Sequence, residues 1–401
     1  MDHSAARASA GTPAAALREP GQLHAVLVLA GSTGGIGAHV RSLAEGLVAH
    51  GVQVTVCGPD GTDTLHGFSR TGARFHPVEI TPTAGARSDA AAIGELRRAF
   101  TGADVVHAHG MRAGLLSDLA LRTAGRFPGL RPQTPLVVTS HHAMLATGME
   151  RRLQRLMERR VVRAADLVLG ASSDLVARAR ELGATDARLG PVAAPPLPAA
   201  TLQRAAAREA LLGSGPATGE PSAEDRPVVL AIGRLVPQKS FDLLLDAVPR
   251  FAPGGDDPLV LLAGDGPERQ ALKTRIAAEK LPVDMLGYRT DIPDLLAAAD
   301  VVVLSSRWEA RSLVVQEAMR AGVPVVSTSV GGVPELVGDA AVLVPPGDAA
   351  ALGTAVRDLL RNPARRAELA EAGRQQALTW PDEAATVAQV LSTYDELVQR
   401  A

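Results

Sequence analysis

The sequence predicts an α/β protein built from two Rossmann-like, doubly wound parallel-sheet domains that face a central cleft. Three observations carry that prediction. Short β-branched or aliphatic runs alternate with longer segments of helical period, the pattern of a parallel sheet with helices on both faces. The rhythm breaks once, between Gly190 and Arg226, and then restarts. The length, 401 residues, suits two domains of ordinary size.

Residues 1–20 are mostly small or polar with no apolar period, and read as a disordered tail. Residues 21–200 form the first domain, with strands expected at Ala25–Leu29, Val52–Cys57, Arg74–Ile80, Asp104–His109, Leu136–Ser140 and Leu167–Gly170. Helical patterns such as Ala38–His50 and Ala113–Ala124 lie between them. Residues 201–226 read as a linker, because prolines precede a short helical stretch and Gly213–Pro227 is rich in Gly, Ser, Pro and Glu. Residues 227–380 form the second domain, with strands at Val228–Ile232, Leu259–Ala263, Val283–Leu286, Val301–Leu304, Val325–Ser327 and Ala341–Val344. The last helical pattern, Asp382–Arg400, follows Trp380-Pro381, so residues 381–401 are expected to pack back across the first domain.

Composition removes several function classes. The net charge is −2, so nothing in the overall balance calls for nucleic acid. Aromatics are 2%, too few for base-stacking platforms. The single cysteine, Cys57, rules out an intrachain disulfide and fits a reducing, cytoplasmic compartment. No apolar run approaches the ~20 residues that span a bilayer, and Leu23–Ala30 is too short and wrongly flanked for a signal peptide. Only Lys239, Lys273 and Lys280 are lysines among 41 basic residues, which gives a lysine inside a motif some weight.

Four stretches carry candidate chemistry. Gly31–Gly37 joins the first strand to a helix, where backbone amides can approach an anion. Its spacing departs from the dinucleotide pattern, which argues against a dehydrogenase. In Asp104–Gly110, alternation puts His107 and His109 on one side of the pleat, one suited to a ligand contact and the other to packing. His141 and His142 end the next strand, but no third ligand at helical spacing supports a metal site, and none is expected. In the second domain, Arg234 and Lys239 flank a strand-to-helix loop, an arrangement suited to a multiply charged leaving group. Glu309 and Glu317 enclose seven residues; with a helix starting near Ser312, the Arg311–Val314 amides would point at a phosphate and the carboxylates would bind hydroxyls.

With Gly264-Asp-Gly-Pro267 and Gly331–Leu336, these stretches resemble family 4 of the retaining glycosyltransferases, which have the GT-B fold; the resemblance covers most of residues 24–400. It implies transfer of a sugar from a nucleoside-diphosphate sugar to an acceptor hydroxyl, with the donor as a substrate and no cofactor. Arg234 and Lys239 would contact the diphosphate, Glu317 the ribose and Glu309 the transferred sugar, with the Arg311, Ser312, Leu313 and Val314 amides near phosphate. Tyr288 and Arg289 would meet the base, Gly35 and Gly37 the diphosphate from the other domain, and His109 the anomeric centre. The absence of any D-x-D agrees with a metal-independent reaction. Ala310-Arg311 stands where many members have Gly-Phe, and Ser240 replaces a common glycine. The rival readings are a nucleotide-sugar 2-epimerase on the same architecture and a non-catalytic nucleotide-sugar-binding protein.

The acceptor has no signature in the sequence. Arg152, Arg155, Arg159 and Arg163 recur at helical spacing, with Arg151 and Arg160 nearby and Leu153, Leu156, Met157 and Val161 on other faces. Such a helix can touch anionic lipid at the inner face of a membrane. The preferred expectation is a solvated or cleft-lining basic face, with the apolar side given to the core.

Overall fold

The computed structural model describes residues 22–31, 35–81, 85–122, 134–142, 148–190, 192–193, 196–212, 226–251 and 258–400. The expected tail, Ser32–Gly34 and residues 213–225 of the expected linker lie outside the described residues.

The first sheet contains β1 (His24–Leu29), β2 (Gln53–Gly58), β3 (Arg74–Pro77), β4 (Val105–His109), β5 (Leu136–Ser140), β6 (Leu167–Gly170) and β7 (Ala187–Leu189). Its order is β3-β2-β1-β4-β5-β6-β7, with every pair parallel. The second contains β8 (Val228–Ile232), β9 (Leu259–Ala263), β10 (Val283–Gly287), β11 (Val301–Leu304), β12 (Val325–Thr328) and β13 (Val342–Val344). Its order is β10-β9-β8-β11-β12-β13, again all parallel. The central strands β1, β4 and β11 are buried along their whole length, which is why they read as continuous apolar runs rather than alternating ones.

In each sheet the winding direction reverses once, between β1 and β4 and between β8 and β11. Such switch points open a crevice beyond the carboxyl ends of the strands, and ligands bind there.

The Glu383–Arg400 helix belongs to the first domain's core. Its Val387, Val390, Tyr394 and Leu397 pack with Leu27, Val40 and Leu43. Gly46 permits that approach, since a Cβ there would stand 2.4 Å from Val387. Arg188 at the sheet edge pairs with Glu396 on the same helix.

Three expectations need correction. Part of the stretch assigned to a linker is the Arg204–Leu212 helix, docked on the second domain: Arg208 is buried, donates to the Ala298 carbonyl at 3.0 Å and pairs with Asp300. The short helical stretch expected there is present, its alanine- and leucine-rich sequence being a good helix former, but it belongs to the second domain rather than to a linker. β7 was not expected, because an edge strand containing Arg188 shows no apolar run. The Gly148–Ala164 helix gives only part of its apolar side to the core. Val161 and Val162 are buried and Glu158 pairs with Arg178, but Met149, Leu153 and Leu156 are 86%, 70% and 64% exposed. These three lie at i, i+4 and i+7, a stripe on one face beside exposed Arg151, Arg152, Arg155 and Arg159. No helix among the described residues is long and apolar enough to cross a membrane.

Candidate functional site

The two switch points face each other across a cleft of about 850 Å³ lined by both domains. It brings together Gly35, His109, Arg234, Lys239, Tyr288, Arg289, Glu309, Arg311, Ser312, Leu313 and Val314. Gly37 and Glu317 are not in its lining.

On the first domain's side, Gly35 opens the Gly35–Ala49 helix, and a Cβ there would come within 3.3 Å of Leu313 from the other domain. Gly37 lies two residues on, about 200° further round the helix. It faces His66 instead, whose ring would be 2.1 Å from an added Cβ. The β4 pleat carries two histidines with different surroundings. His107 is a packed residue, bonded through Nδ1 to the Tyr394 hydroxyl at 2.7 Å and through Nε2 to the Thr139 hydroxyl at 2.6 Å. It stacks on His109 with ring centroids 4.3 Å apart. His109 Nδ1 meets His141 Nε2 at 3.2 Å, and His109 Nε2 is buried with no partner.

A further imidazole, His39 of the Gly35–Ala49 helix, lies edge-on to both, 5.5 Å from each ring centroid. Desolvation lowers the pKa of His39 to about 4 and holds those of His109 and His141 well below the ordinary value, with neighbouring imidazoles adding. The search for a third ligand at helical spacing missed His39. The available clue was its helix, which follows the glycine loop and therefore covers the switch point beside β4.

On the second domain's side, Lys239 donates to Glu309 Oε1 at 2.6 Å, and the Ser306 hydroxyl donates to the same oxygen at 2.7 Å. The loop holding Glu309 is clamped from behind. Gly331 has φ 51°, and any Cβ there would lie 2.0 Å from the Glu309 carbonyl oxygen. The Gly332 amide donates to that carbonyl at 2.9 Å. Beside it, the Trp308 indole donates across the domains to Asp174 at 2.7 Å. The Gly264-Asp-Gly-Pro267 turn presses equally close, since a Cβ on Gly264 would stand 1.9 Å from the Gly233 carbonyl oxygen.

Ser312 precedes the Leu313–Arg320 helix as its N-cap, yet its hydroxyl makes no capping bond. The first-turn amides therefore keep their capacity for another acceptor. Arg311 brings a guanidinium whose Nε and Nη2 are buried without partners; desolvation lowers its pKa and Glu335 opposes that shift. Glu317 sits one turn behind Leu313 and Val314, the two residues of this helix in the cleft lining. Its burial pushes its pKa up to about 7, and Arg320 opposes. Tyr288, 77% exposed, and Arg289, paired with Asp291, stand at the mouth.

One wall thus offers cations and open helix amides for an anion, and the other offers neutral imidazoles. Two family descriptions match this chain: "Glycosyl transferase 4-like domain" over residues 34–194 and "Glycosyl transferases group 1" over residues 218–376. Glycogen synthase of Mycobacterium tuberculosis is 29% identical over 399 residues, covering 89% of this chain and 90% of that protein. Alpha-D-kanosaminyltransferase of Streptomyces kanamyceticus is 34% identical over 37% of this chain and 40% of its own. The GDP-mannose-dependent alpha-(1-6)-phosphatidylinositol monomannoside mannosyltransferase of Mycolicibacterium smegmatis is 35% identical over 42% and 48%. Against these last two, the similarity therefore spans less than half of the relative's length. Among solved structures, Anabaena Alr3699/HepE in complex with UDP and glucose superposes with a TM-score of 0.75 at 21% identity, covering 94% of this chain and 100% of that one. WaaG, a glycosyltransferase involved in lipopolysaccharide biosynthesis, gives 0.68 at 18% identity, covering 93% and 99%.

Proposed function

Because the chain belongs to the family 4 glycosyltransferases of GT-B fold, we propose that it transfers a sugar from a nucleoside-diphosphate sugar to an acceptor hydroxyl, with retention and without a metal ion. The observation that carries this reading is the convergence of Arg234, Lys239, Glu309 and the open Arg311–Val314 turn in one cleft opposite His109.

Breaking the glycosyl–phosphate bond builds negative charge on the diphosphate and positive charge on the sugar ring. Arg234, Lys239 and the helix amides meet the first, and preorganised donors of this kind are the largest lever available. Glu309 accepts hydroxyls of the transferred sugar; its bond to Lys239 holds both groups in place before the donor arrives. Glu317 lies one helical turn, about 5.4 Å, behind the phosphate position, and takes the ribose hydroxyls. His109 offers its unpartnered nitrogen to the sugar near the reacting carbon. The departing phosphate oxygen accepts the acceptor's proton, and domain closure excludes water. The exposed Met149, Leu153 and Leu156 stripe with its flanking arginines supports peripheral contact with an anionic membrane. Co-sedimentation with anionic vesicles that survives Leu153→Glu would remove that part.

A thermal-shift screen of UDP, GDP and ADP sugars tests the donor. One should stabilise the protein by about 2.7 kcal/mol at a hundredfold excess over its dissociation constant, and Lys239→Ala should abolish the shift. Transfer should persist in excess EDTA. No shift from any sugar nucleotide, or activity lost to EDTA and restored by Mg²⁺, overturns the reading. Conversion of donor to an epimer in the absence of acceptor would replace it with an isomerase.

A further inference from the structure

The cleft floor holds a constellation that the transfer reaction uses only in part. His39 comes from the Gly35–Ala49 helix, His109 from the end of β4 and His141 from the residue after β5. One ring nitrogen from each lies within 4.8 Å of the other two. His109 Nδ1 and His141 Nε2 are already 3.2 Å apart. Two imidazole nitrogens bound at about 2.0–2.1 Å to one tetrahedral Zn²⁺ stand about 3.3 Å apart, so this pair has the spacing of two ligands before any movement.

A simple hydrogen bond between the two rings accounts for that contact. It does not account for a third imidazole turned edge-on to both rings, with a ring nitrogen of its own within 4.8 Å of the ligand nitrogens of the other two. All three rings are kept neutral by burial, the state in which imidazole ligates. Among the described residues no carboxylate joins the cluster, which disfavours Mg²⁺ and Ca²⁺ and favours ions that prefer nitrogen. His107, stacked on His109 and fixed by Tyr394 and Thr139, holds the central ring in place.

We propose that His39, His109 and His141 form a three-imidazole site for Zn²⁺ and related transition-metal ions, with its fourth position open to the cleft. Binding balances without net proton loss: the rings are neutral, so the hydrogen between His109 Nδ1 and His141 Nε2 moves to the outer nitrogen that lacks one, and each ring then carries its single hydrogen on the nitrogen away from the metal.

The test uses the full chain and the metal alone. Zn²⁺ affinity is measured by competition with a chromophoric chelator, and Co²⁺ is used for its visible tetrahedral absorption. The wild type should bind one ion and show the Co²⁺ bands. His39→Ala and His141→Gln should each weaken binding at least roughly tenfold and lose the bands, with His50→Ala on the exposed surface as an unchanged control. Equal Zn²⁺ affinity in wild type and both cluster variants, or no tetrahedral Co²⁺ spectrum from the wild type, overturns the proposal. If one cluster variant fails to fold, the other decides. Absence of transferase activity in the same sample would count against the proposed function and leave the metal result standing.

Discussion

The two walls of the cleft are built on the same architecture and solve different physical problems. The first domain floors it with histidines that burial keeps neutral, held by hydrogen bonds and stacking. The second domain lines it with charges: a buried Lys239–Glu309 pair, Arg234, and an Arg311 guanidinium left unpaired. A group that leaves as a diphosphate needs fixed positive charge on one side only. A cationic floor opposite would compete with the oxocarbenium-like sugar, so neutral donors and acceptors suit that side. On the proposed reaction, the difference separates the wall that would bind charge from the wall that would shape the reacting centre.

The strongest test of that division removes the ion pair. Lys239→Met leaves Glu309 without its cation, and breaking such a buried pair costs about 3–5 kcal/mol. The lower end applies, because Lys239 keeps 18% of its side chain exposed. Turnover should fall ~10²–10³-fold, the usual loss for one preorganised donor. The double variant Lys239→Met/Glu309→Gln should recover most of the stability in urea melts and none of the rate. Recovery of both would mean that the charged wall is a folding device.

The neutral wall is tested by Tyr394→Phe. This deletes the hydroxyl at 2.7 Å from His107 Nδ1 and strands a buried polar group, which costs about 1–3 kcal/mol. Because Tyr394 lies on the Glu383–Arg400 helix, urea denaturation should also show that helix loosening from the first domain. An unchanged midpoint would show that packing alone fixes the histidine floor.

Much of this division was legible in the sequence. The strands were readable because both faces of β1, β4 and β11 are buried, which forces unbroken apolar runs. Arg234, Lys239 and Glu309 were readable because each follows a strand in the second domain, and parallel topology delivers strand ends to one crevice. What was not legible depends on rotation and on contacts between distant elements. Gly37 differs from Gly35 only by its angle round a helix, and that angle turns it onto His66. His39 meets His109 and His141 through the packing of a helix on a sheet, for which no spacing rule exists. Leu153 and Leu156 were expected on the core side but stand exposed beside Met149, because an apolar side chain does not reveal which neighbour covers it.

A smaller effect separates the walls by pH. Burial raises the Glu317 pKa to about 7, whereas the floor histidines are held well below their ordinary value. On the proposed role, Glu317 is mostly protonated below pH 7 and would accept ribose hydroxyls poorly, whereas above it the carboxylate would accept both. Donor affinity should therefore rise from pH 6 to pH 8 by up to tenfold, about 1.4 kcal/mol. Glu317→Gln should flatten that profile in calorimetric titrations at fixed ionic strength. A slope that persists in the variant would place the titrating group elsewhere.

The smallest effect concerns the loop that delivers Lys239. Ser240 adopts φ 48°, ψ 50°, the left-handed region, where a side chain costs about 1–2 kcal/mol relative to glycine. Glycine at this position is common in the family that the chain resembles, and the strain alone predicts a gain from Ser240→Gly. Two terms oppose it. The serine hydroxyl donates to Asp242 at 2.8 Å, worth about 0.5–1.5 kcal/mol. Glycine also frees the unfolded chain by about 0.4–1 kcal/mol. The three nearly cancel, and the expected change is within about 0.5 kcal/mol of zero. Ser240→Val keeps the strain, loses the bond and adds a β-branched clash, so it should destabilise by about 1–2 kcal/mol. A large gain from glycine would mean that the Asp242 bond contributes little and that the charged wall carries uncompensated strain next to its lysine.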